Sequence, residues 1–514
     1  MSNASNVIRC MFARSLTISL AAVLFAVVPA HPAAAQGTAR DTAESDVGRL
    51  RAELHRSYPS LAYVERYRRA FPAEVQGSDA LWRAGAPLPL ISSNGDLVRA
   101  LVGLQDQHVS LAGPNAGGSQ TLGVLFRTSS DGHMIVWRVF EPSVAGVREG
   151  DVVQAVDGTP TAAWLERAAV TTFGGNRRSR AAEAAQRLGL GTTVVHQTAG
   201  LGRSVTLTIR SGTAVARRVT LPWLPMTASR GAAVAAALDR ADLPRTLEVD
   251  GRRVGTLRLG GFAPQFDSAF TAAADEAEKR PGVTEEEAMI AGFCAVVRRF
   301  IAEGDALASA SDVLLLDLRG NFGGFQREAR LFAEALAPAP LPASFDVFAT
   351  GRAGTLRLEP LPDDPSCGRL ARARPLVVLT DAGTRSSGEF MAAWLWGAGA
   401  TVAGERTLGG GGGLDSQAQG FELPQLGLRV KMSGAFTVFD VTQALSAGET
   451  AEAPLLDQVA REGFAPSRTR PFAIQAAGLR PDLEEPTTLA DLRDGGVSLA
   501  TRIVRRIRTQ GGLP

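Results

Sequence analysis

A serine at the turn between an apolar strand and a helix is the first residue that could do chemistry. Residues 376–380 are continuously apolar, the chain then turns through Gly383, and Ser386 comes where a helical pattern begins. Active sites of α/β sheets collect at such strand ends, and the free N–H groups of a helix start can stabilise an oxyanion. The same position also suits a plain helix cap at Ser386 or Ser387, so the turn alone leaves both interpretations open.

A glycine-rich turn follows a second apolar strand. The segment DVLLLDLRGNFGG spans residues 312–324 and ends in Gly323 and Gly324. Because both turns follow buried strands, we expect them at one edge of the sheet, with the amides near Gly323 and Gly324 and that of Ser387 forming an oxyanion hole. A plain strand-to-helix turn or a phosphate cradle remains an alternative, but no Gly-Lys-Ser/Thr follows, which excludes a P-loop.

A histidine continues an apolar stripe in the N-terminal part of the chain. Leu97, Leu101, Leu104 and His108 recur at helical spacing after a capping residue near Asn94. The spacing predicts one helix that carries His108 at its C-terminal end. A histidine there is either a buried, hydrogen-bonded core residue or a group that takes part in chemistry.

Three patterns divide the chain. Residues 36–115 are predicted to be a helical N-terminal region, 116–225 a β-rich domain and 226–514 an α/β core, whose continuously apolar strands imply a sheet buried on both faces. Within the core, Thr284 and Glu287 predict a capping box at the start of a helix.

The β-rich segment resembles a PDZ domain. The resemblance lies in Ala145-Gly146, Arg148-Glu149-Gly150-Asp151 and Val156-Asp157-Gly158, where Asp157–Gly158 predicts a hairpin turn. It implies binding of extended peptides at a sheet edge; an ordinary β-hairpin is the alternative.

The core motifs together resemble the C-terminal processing, or tail-specific, serine proteases. They are Asp-Leu-Arg-Gly-Asn-x-Gly-Gly at 317–324, Ser-Ser-Gly-Glu at 386–389, Gly-Glu-Arg-Thr at 404–407 and Gly-x-x-Pro-Asp at 478–482. The resemblance implies a ClpP/crotonase-like core with Ser386 as nucleophile. The lysine base of that family is absent, because glycines occupy 409–411, and only Lys279 and Lys431 occur in the chain.

The chain also resembles a second branch of this family, which includes the tricorn core protease and interphotoreceptor retinoid-binding protein. The proteases of that branch use a histidine as the base in place of the lysine. Their Leu-x-Asp-x-His-x-x-Leu motif matches residues 104–111, which implies that His108 is the general base. The branch's glutamate aligns with Gln475, so the resemblance implies Gln475 as the third catalytic residue. An amide cannot stabilise an imidazolium as a carboxylate does, so another acid is the alternative. Asp106, Glu405 and Asp415 are the candidate acids.

The implied function is that of an exported serine peptidase acting on peptides or unfolded protein tails, with no cofactor or metal. A catalytically silent binding protein that holds a peptide or a small hydrophobic ligand is the alternative. The pattern of residues 1–35 predicts a secretory signal, hence a periplasmic or extracellular location, with an uncleaved membrane anchor as the alternative. No later segment is long and apolar enough to span a membrane.

The amino-acid composition limits the classes of molecule that this chain is expected to bind. The net charge of +2, with no sustained basic run, argues against nucleic-acid binding. The five histidines are scattered and no CxxC occurs, which argues against a zinc site. Whether Cys294 and Cys367 pair stays open, as does the oligomeric state.

Overall fold

The structure is a computed structural model, and it describes residues 39–113, 118–192, 196, 198–350, 355–371, 374–413, 419–443, 445–446, 448 and 453–510. The predicted secretory signal at 1–35 lies outside these residues. Within the described ranges, no helix is long and apolar enough to cross a membrane.

The elements between Ala39 and Ala112 are mostly helices, and the last of them is a strand. They are α1 (Ala39–Ser57), α2 (Ser60–Ala70), a 3-10 turn (Pro72–Glu74), α3 (Asn94–Val102) and β1 (Ser110–Ala112). The apolar side chains of this region pack on Leu423, Leu428, Val430 and Met432 from the C-terminal half of the chain. The region therefore shares a core with the C-terminal half.

The next segment, residues 119–225, contains an antiparallel sheet with two helices against it. Its elements are β2 (Ser119–Thr121), β3 (Val124–Thr128), β4 (Met134–Val139), β5 (Val152–Val156), β6 (Thr159–Pro160), α4 (Thr161–Ala169), α5 (Arg177–Gly189), β7 (Leu190–Thr192), β8 (Ser204–Arg210), β9 (Arg217–Pro222) and β10 (Leu224–Pro225). The sheet order is β3-β4-β5-β8-β9, with β6 paired to β5 across the predicted Asp157–Gly158 turn. Both turn residues have positive φ, at 47° and 78°, as a two-residue hairpin requires.

The remaining elements form an α/β unit. They are α6 (Ala228–Asp239), β11 (Thr246–Val249), β12 (Arg252–Arg258), a 3-10 turn (Pro264–Phe266), α7 (Ser268–Glu278), α8 (Glu285–Ala310), β13 (Val313–Asp317), α9 (Gln326–Leu336), β14 (Ala343–Ala349), β15 (Leu356–Pro360), β16 (Leu376–Thr380), α10 (Ser387–Gly397), β17 (Thr401–Gly404), β18 (Gly412–Gly413), β19 (Gln419–Leu423), β20 (Leu428–Met432), β21 (Ala435–Asp440), α11 (Ala453–Phe464), β22 (Phe472–Ala473), β23 (Leu483–Glu484), α12 (Leu489–Arg493) and α13 (Val497–Thr509). The predicted capping box of Thr284 and Glu287 at the start of α8 is confirmed.

The main sheet has the order β11-β12-β13-β16-β17-β23, and its strands run parallel from β12 onward. In β13, Leu314 and Leu316 pack with the helices α8, α9 and α10, whereas Val313 and Leu315 pack with α13. The prediction of a sheet buried on both faces is confirmed: every residue of β13 and β16 is buried. A second sheet of order β15-β14-β21-β18 and a three-stranded sheet of order β1-β20-β19 complete this part of the chain.

A disulfide joins Cys294 of α8 to Cys367, which precedes β16. Both cysteines are buried in the main core. The question that composition left open is thus answered in favour of a bond.

Candidate active site

Two turns meet at one edge of the main sheet. β13 and β16 are parallel neighbours in the register Asp317↔Leu379, so the segments that follow them leave the sheet side by side. The N–H of Gly320 donates to Asp381 Oδ1 at 2.8 Å, and the N–H of Arg385 donates to the carbonyl of Asn321 at 3.0 Å. The predicted proximity of the two turns is confirmed.

Ser386 occupies the last position before α10 and has an unusual backbone. Its φ of 53° and ψ of −127° lie in a region that a residue with a side chain adopts only under strain. Such strain on a strand-to-helix turn is typical of a hydrolase nucleophile. Its Oγ lies 3.0 Å from Nε2 of His108, although 278 residues separate the two in sequence.

The helix that was expected to carry His108 is shorter than predicted. α3 ends at Val102, and the N–H groups of Leu104 and Gln105 bond to carbonyls three residues back, which tightens the chain out of the helix. Gln105 then adopts a left-handed φ of 49°. His108 therefore stands on a loop between α3 and β1, and the leucine spacing continued by coincidence past the true helix end.

Asp106 is the acid next to the imidazole. Its Oδ1 accepts from the backbone N–H of His108 at 2.9 Å and lies 3.3 Å from His108 Nδ1, and its Oδ2 accepts from Tyr58 and Ser433 hydroxyls, both at 2.8 Å. Burial opposes ionisation of this carboxyl, but its electrostatic interaction with the imidazole and the hydrogen bonds from His108 and Ser433 outweigh burial and hold the pKa of Asp106 below its usual range. Asp106 is therefore a carboxylate that can only accept hydrogen bonds.

This arrangement determines which ring nitrogen can act as a base. Because the Asp106 carboxylate only accepts, Nδ1 of His108 carries the hydrogen and Nε2 keeps its lone pair. That lone pair faces Ser386 Oγ. The three side chains therefore have the order acid, imidazole and hydroxyl of a hydrolytic triad.

The residue aligned with the family's acid, Gln475, does not make these contacts. Its side chain is fully buried, and neither amide atom has a hydrogen-bond partner among the described residues. Of the other candidate acids, Glu405 is ion-paired with Arg178 and Asp415 lies outside the described residues. The structure corrects the expectation that Gln475 contributes to the triad, because Asp106 and not Gln475 contacts Nδ1 of His108.

The three predicted oxyanion donors differ in whether their N–H group is already hydrogen-bonded. The N–H of Gly323 donates to Asn321 Oδ1 at 2.8 Å, so it is already engaged. In the ranges that the structure describes, the N–H groups of Gly324 and Ser387 have no acceptor, and the Ser387 hydroxyl donates to the Gly324 carbonyl at 2.7 Å. Gly324 and Ser387 can therefore supply an oxyanion hole.

Gly323 is needed for another reason, which is the close approach of this turn to Ser386. Its φ is +77°, and a Cβ there would lie 2.6 Å from the Cβ of Ser386 and 3.1 Å from its Oγ. No side chain fits between this turn and the nucleophile.

A buried carboxyl ties the nucleophile to the glycine run at 409–411. Glu389 Oε2 accepts from the N–H groups of Ser386 and Gly410, and Oε1 accepts from Gly409 N–H and the Thr407 hydroxyl. Burial raises the pKa of Glu389 to about 7, against the opposing effect of these four hydrogen bonds. The glycines that stand where the family's lysine would be are thus part of the support of Ser386.

Sequence reasoning missed several partners. Tyr58 and Ser433, which hold Asp106, come from α2's N-terminal flank and from the turn after β20, and no motif marks them. Asn321 lies within the recognised glycine-rich motif, so its type and place were available as a signal. Within the described ranges, no group of three or more His, Cys, Asp or Glu side chains could hold a metal ion.

The fold and the site define an α/β protein with a serine–histidine–aspartate arrangement at the edge of its parallel sheet. Residues 294–438 match the family model of peptidase family S41. The match covers Ser386, Gly323 and Gly324 but not His108. No curated protein matches the chain.

Two solved structures of mature CPAF have a fold similar to that of this chain. The structure of mature CPAF complexed with lactacystin and that of mature CPAF each superpose with a TM-score of 0.57 at 16% identity, covering 92% of this chain and 99% and 98% of theirs. At that identity the likeness shows the fold alone. The photosystem II D1 C-terminal processing protease superposes with a TM-score of 0.37 at 17% identity, over 86% of this chain and 97% of its own.

Proposed function

We propose that this chain is an exported serine peptidase that cleaves peptides or unfolded protein tails through an acyl-enzyme on Ser386. The observation that carries the proposal is the 3.0 Å contact between Ser386 Oγ and His108 Nε2, with Asp106 on the other ring nitrogen. Neither a metal nor an organic cofactor has a part in it.

The reaction follows from the positions of the groups. His108 Nε2 takes the hydroxyl proton as Ser386 Oγ bonds to the scissile carbonyl carbon, and the carbonyl oxygen becomes an oxyanion facing the Gly324 and Ser387 amides. His108 then passes the proton to the leaving amine, which departs as the acyl-enzyme forms. Water, deprotonated by His108, hydrolyses the acyl-enzyme and restores the hydroxyl. A positioned base contributes about 100- to 10,000-fold and each oxyanion donor about 100- to 1,000-fold in rate.

Two further features support the export and the peptide substrate. The Cys294–Cys367 disulfide suits an oxidising compartment, in agreement with the secretory pattern at 1–35. The antiparallel sheet of 119–225, which we propose to be PDZ-like, would bind an extended chain at its edge.

A catalytically silent binding protein is the second candidate. The observations that favour it are the burial of the reactive pair, with Ser386 8% and His108 6% exposed, and the neutral Gln475. Such a protein would hold a peptide or a small hydrophobic ligand on the same fold.

A fluorophosphonate probe separates the two. We expect the mature chain to be labelled, Ser386→Ala to abolish labelling, and His108→Ala to slow it by about 100- to 10,000-fold. Ser309→Ala and His133→Ala are matched controls, because both residues are exposed and their side-chain polar contacts are to Asp305 and Asp131, outside this site, and they should label like wild type. Labelling that survives Ser386→Ala would refute the nucleophile; a wild-type chain that never labels would favour the binding protein.

A further inference from the structure

The residue before the nucleophile carries a cation without a counter-ion. The guanidinium carbon of Arg385 lies 3.8 Å from the centroid of the Phe322 ring. Its polar contacts are long: Nε donates to the Phe322 carbonyl and Nη1 to Gln186 Oε1, both at 3.4 Å. Within the described residues, no carboxylate lies in ion-pair distance of this guanidinium.

The neighbouring cations differ from Arg385 in this respect. Arg127 and Arg178 line the cavity between α5 and the two active-site turns, and Arg187 lies on α5. Each has a carboxylate partner, and these partners are Asp242, Glu405 and Glu183, respectively. Arg385 differs from these three arginines in having no ion-pair partner among the described residues.

The acids that act electrostatically on Arg385 are Glu183 and Glu389, and both already accept hydrogen bonds. Glu183 accepts from Arg187 and from the N–H of Gly174. Glu389 accepts from the four donors described above. Neither carboxylate can turn to the Arg385 guanidinium without losing these hydrogen bonds.

The backbone of Arg385 lies directly beside the nucleophile. A Cβ built on Gly323 would be 3.0 Å from the Arg385 carbonyl and 3.1 Å from Ser386 Oγ, so one glycine contacts both residues. Phe322, on which the guanidinium stacks, directly precedes that glycine. The guanidinium extends from there toward Gln186 on α5 and is half-buried.

The Arg385 guanidinium is positively charged at neutral pH. Burial lowers the pKa of Arg385 to about 10, and the side chain is still protonated well below that pH. A partly desolvated cation of this kind gains more from a carboxylate than a fully hydrated cation does.

We propose that Arg385 binds a carboxylate of the substrate next to the scissile bond. The inference rests on the proposed peptidase function and adds a substrate class to it. The carboxylate is either the side chain of an aspartate or glutamate beside the cleaved bond or the terminal carboxylate of the substrate. A hydrogen-bonded pair of this kind discriminates an acid from its amide by about 10- to 100-fold.

The kinetic experiment compares acids with amides. A fluorogenic peptide that the mature chain cleaves is made with Glu or Gln on either side of the cleaved bond, and with a free or an amidated C-terminus. We expect one of these acids to be preferred in kcat/KM by about 10- to 100-fold over its amide. Arg385→Gln should remove that preference, and Arg385→Lys, which keeps the charge but not the planar fork, should retain part of it.

Arg406→Gln is the matched control. Arg406 also stacks on an aromatic ring, with its guanidinium carbon 4.0 Å from the Phe464 centroid, and it has no ion-pair partner in the described part of the chain. The control should keep the acid preference, which separates recognition from the loss of a stacked guanidinium. Unfolding temperatures of all variants show whether they fold.

A binding experiment keeps this inference separable from the peptidase proposal. Fluorescein-labelled acid and amide peptides are titrated into Ser386→Ala with and without Arg385→Gln, and anisotropy is recorded. A carboxylate preference that Arg385→Gln removes supports the inference even where wild type cleaves nothing, in which case only the peptidase proposal fails. Equal kcat/KM and equal affinity for acids and amides would overturn the inference while leaving any observed hydrolysis intact.

Discussion

At the residue scale, the question is which side chain orients the imidazole. Asp106 Oδ1 receives two groups of His108, and the Tyr58 and Ser433 hydroxyls hold the other oxygen. Hydroxyls can also accept hydrogen bonds, so an asparagine could place its NH2 on their side and keep its oxygen on His108. Asp106→Asn would then preserve the geometry and remove the charge.

We therefore expect Asp106→Asn to lower kcat by about 100- to 10,000-fold, because the imidazolium that forms during attack loses its carboxylate. Gln475→Ala should change kcat by less than about tenfold, that is, by less than about 1.4 kcal/mol, since Gln475 has no hydrogen bond to His108. Steady-state rates on one cleaved peptide, with unfolding temperatures as a check of folding, make the comparison. A Gln475→Ala defect as large as that of Asp106→Asn would return the third role to position 475.

At the element scale, uninterrupted runs of apolar residues predicted the two strands that lead into the active-site turns. β13 and β16 were predicted from runs that allow burial on both faces, and their parallel pairing brings the two active-site turns together. The helix end before His108 was wrong, because periodicity cannot register the left-handed turn at Gln105. The pairing of β1 with β20, which joins the His108 loop to the C-terminal half, depends on contacts between segments that are distant in sequence.

The α10 helix start also implies a pH effect on stability. The pKa of Glu389 is raised by burial to about 7, above the ordinary value of 4.5 that it regains on unfolding. Between these pH values the folded chain binds more protons than the unfolded chain, so the stability contributed by Glu389 is fully present below about pH 4.5 and falls as the pH rises to 7.

Relative to Glu389→Gln, we expect wild type to lose up to about 3 kcal/mol of unfolding free energy between pH 4.5 and 7. Denaturant unfolding of both chains at several pH values gives the difference, and subtraction of the Gln variant removes the titration of all other groups. Glu166→Gln, at an exposed position of α4 that has no ion-pair partner among the described residues, should show no such slope. A difference that grows with pH would mean that the four donors keep Glu389 ionised.

At the scale of the whole molecule, the β-rich segment is attached beside the active-site turns by buried charges. Asp242, which follows α6, pairs with Arg127 of β3 and Arg138 of β4. Arg127 also donates to the carbonyl of Arg319, which follows β13. The sheet that we propose to bind the substrate chain is thus held directly against the strand ends that carry the site.

The disulfide is the other long-range constraint. It joins Cys294 and Cys367 across 73 residues, and the closed loop contains β13 and the glycine-rich turn. Because it restricts the unfolded chain, we expect Cys294→Ala/Cys367→Ala to lower the unfolding free energy by about 2–4 kcal/mol. Guanidinium unfolding of the mature chain with and without reductant measures it: reduced wild type should approach the double variant, whose own stability should not respond to reductant. If mass spectrometry finds both thiols free in protein recovered from an oxidising compartment, the bond does not form, and export loses one of its two supports.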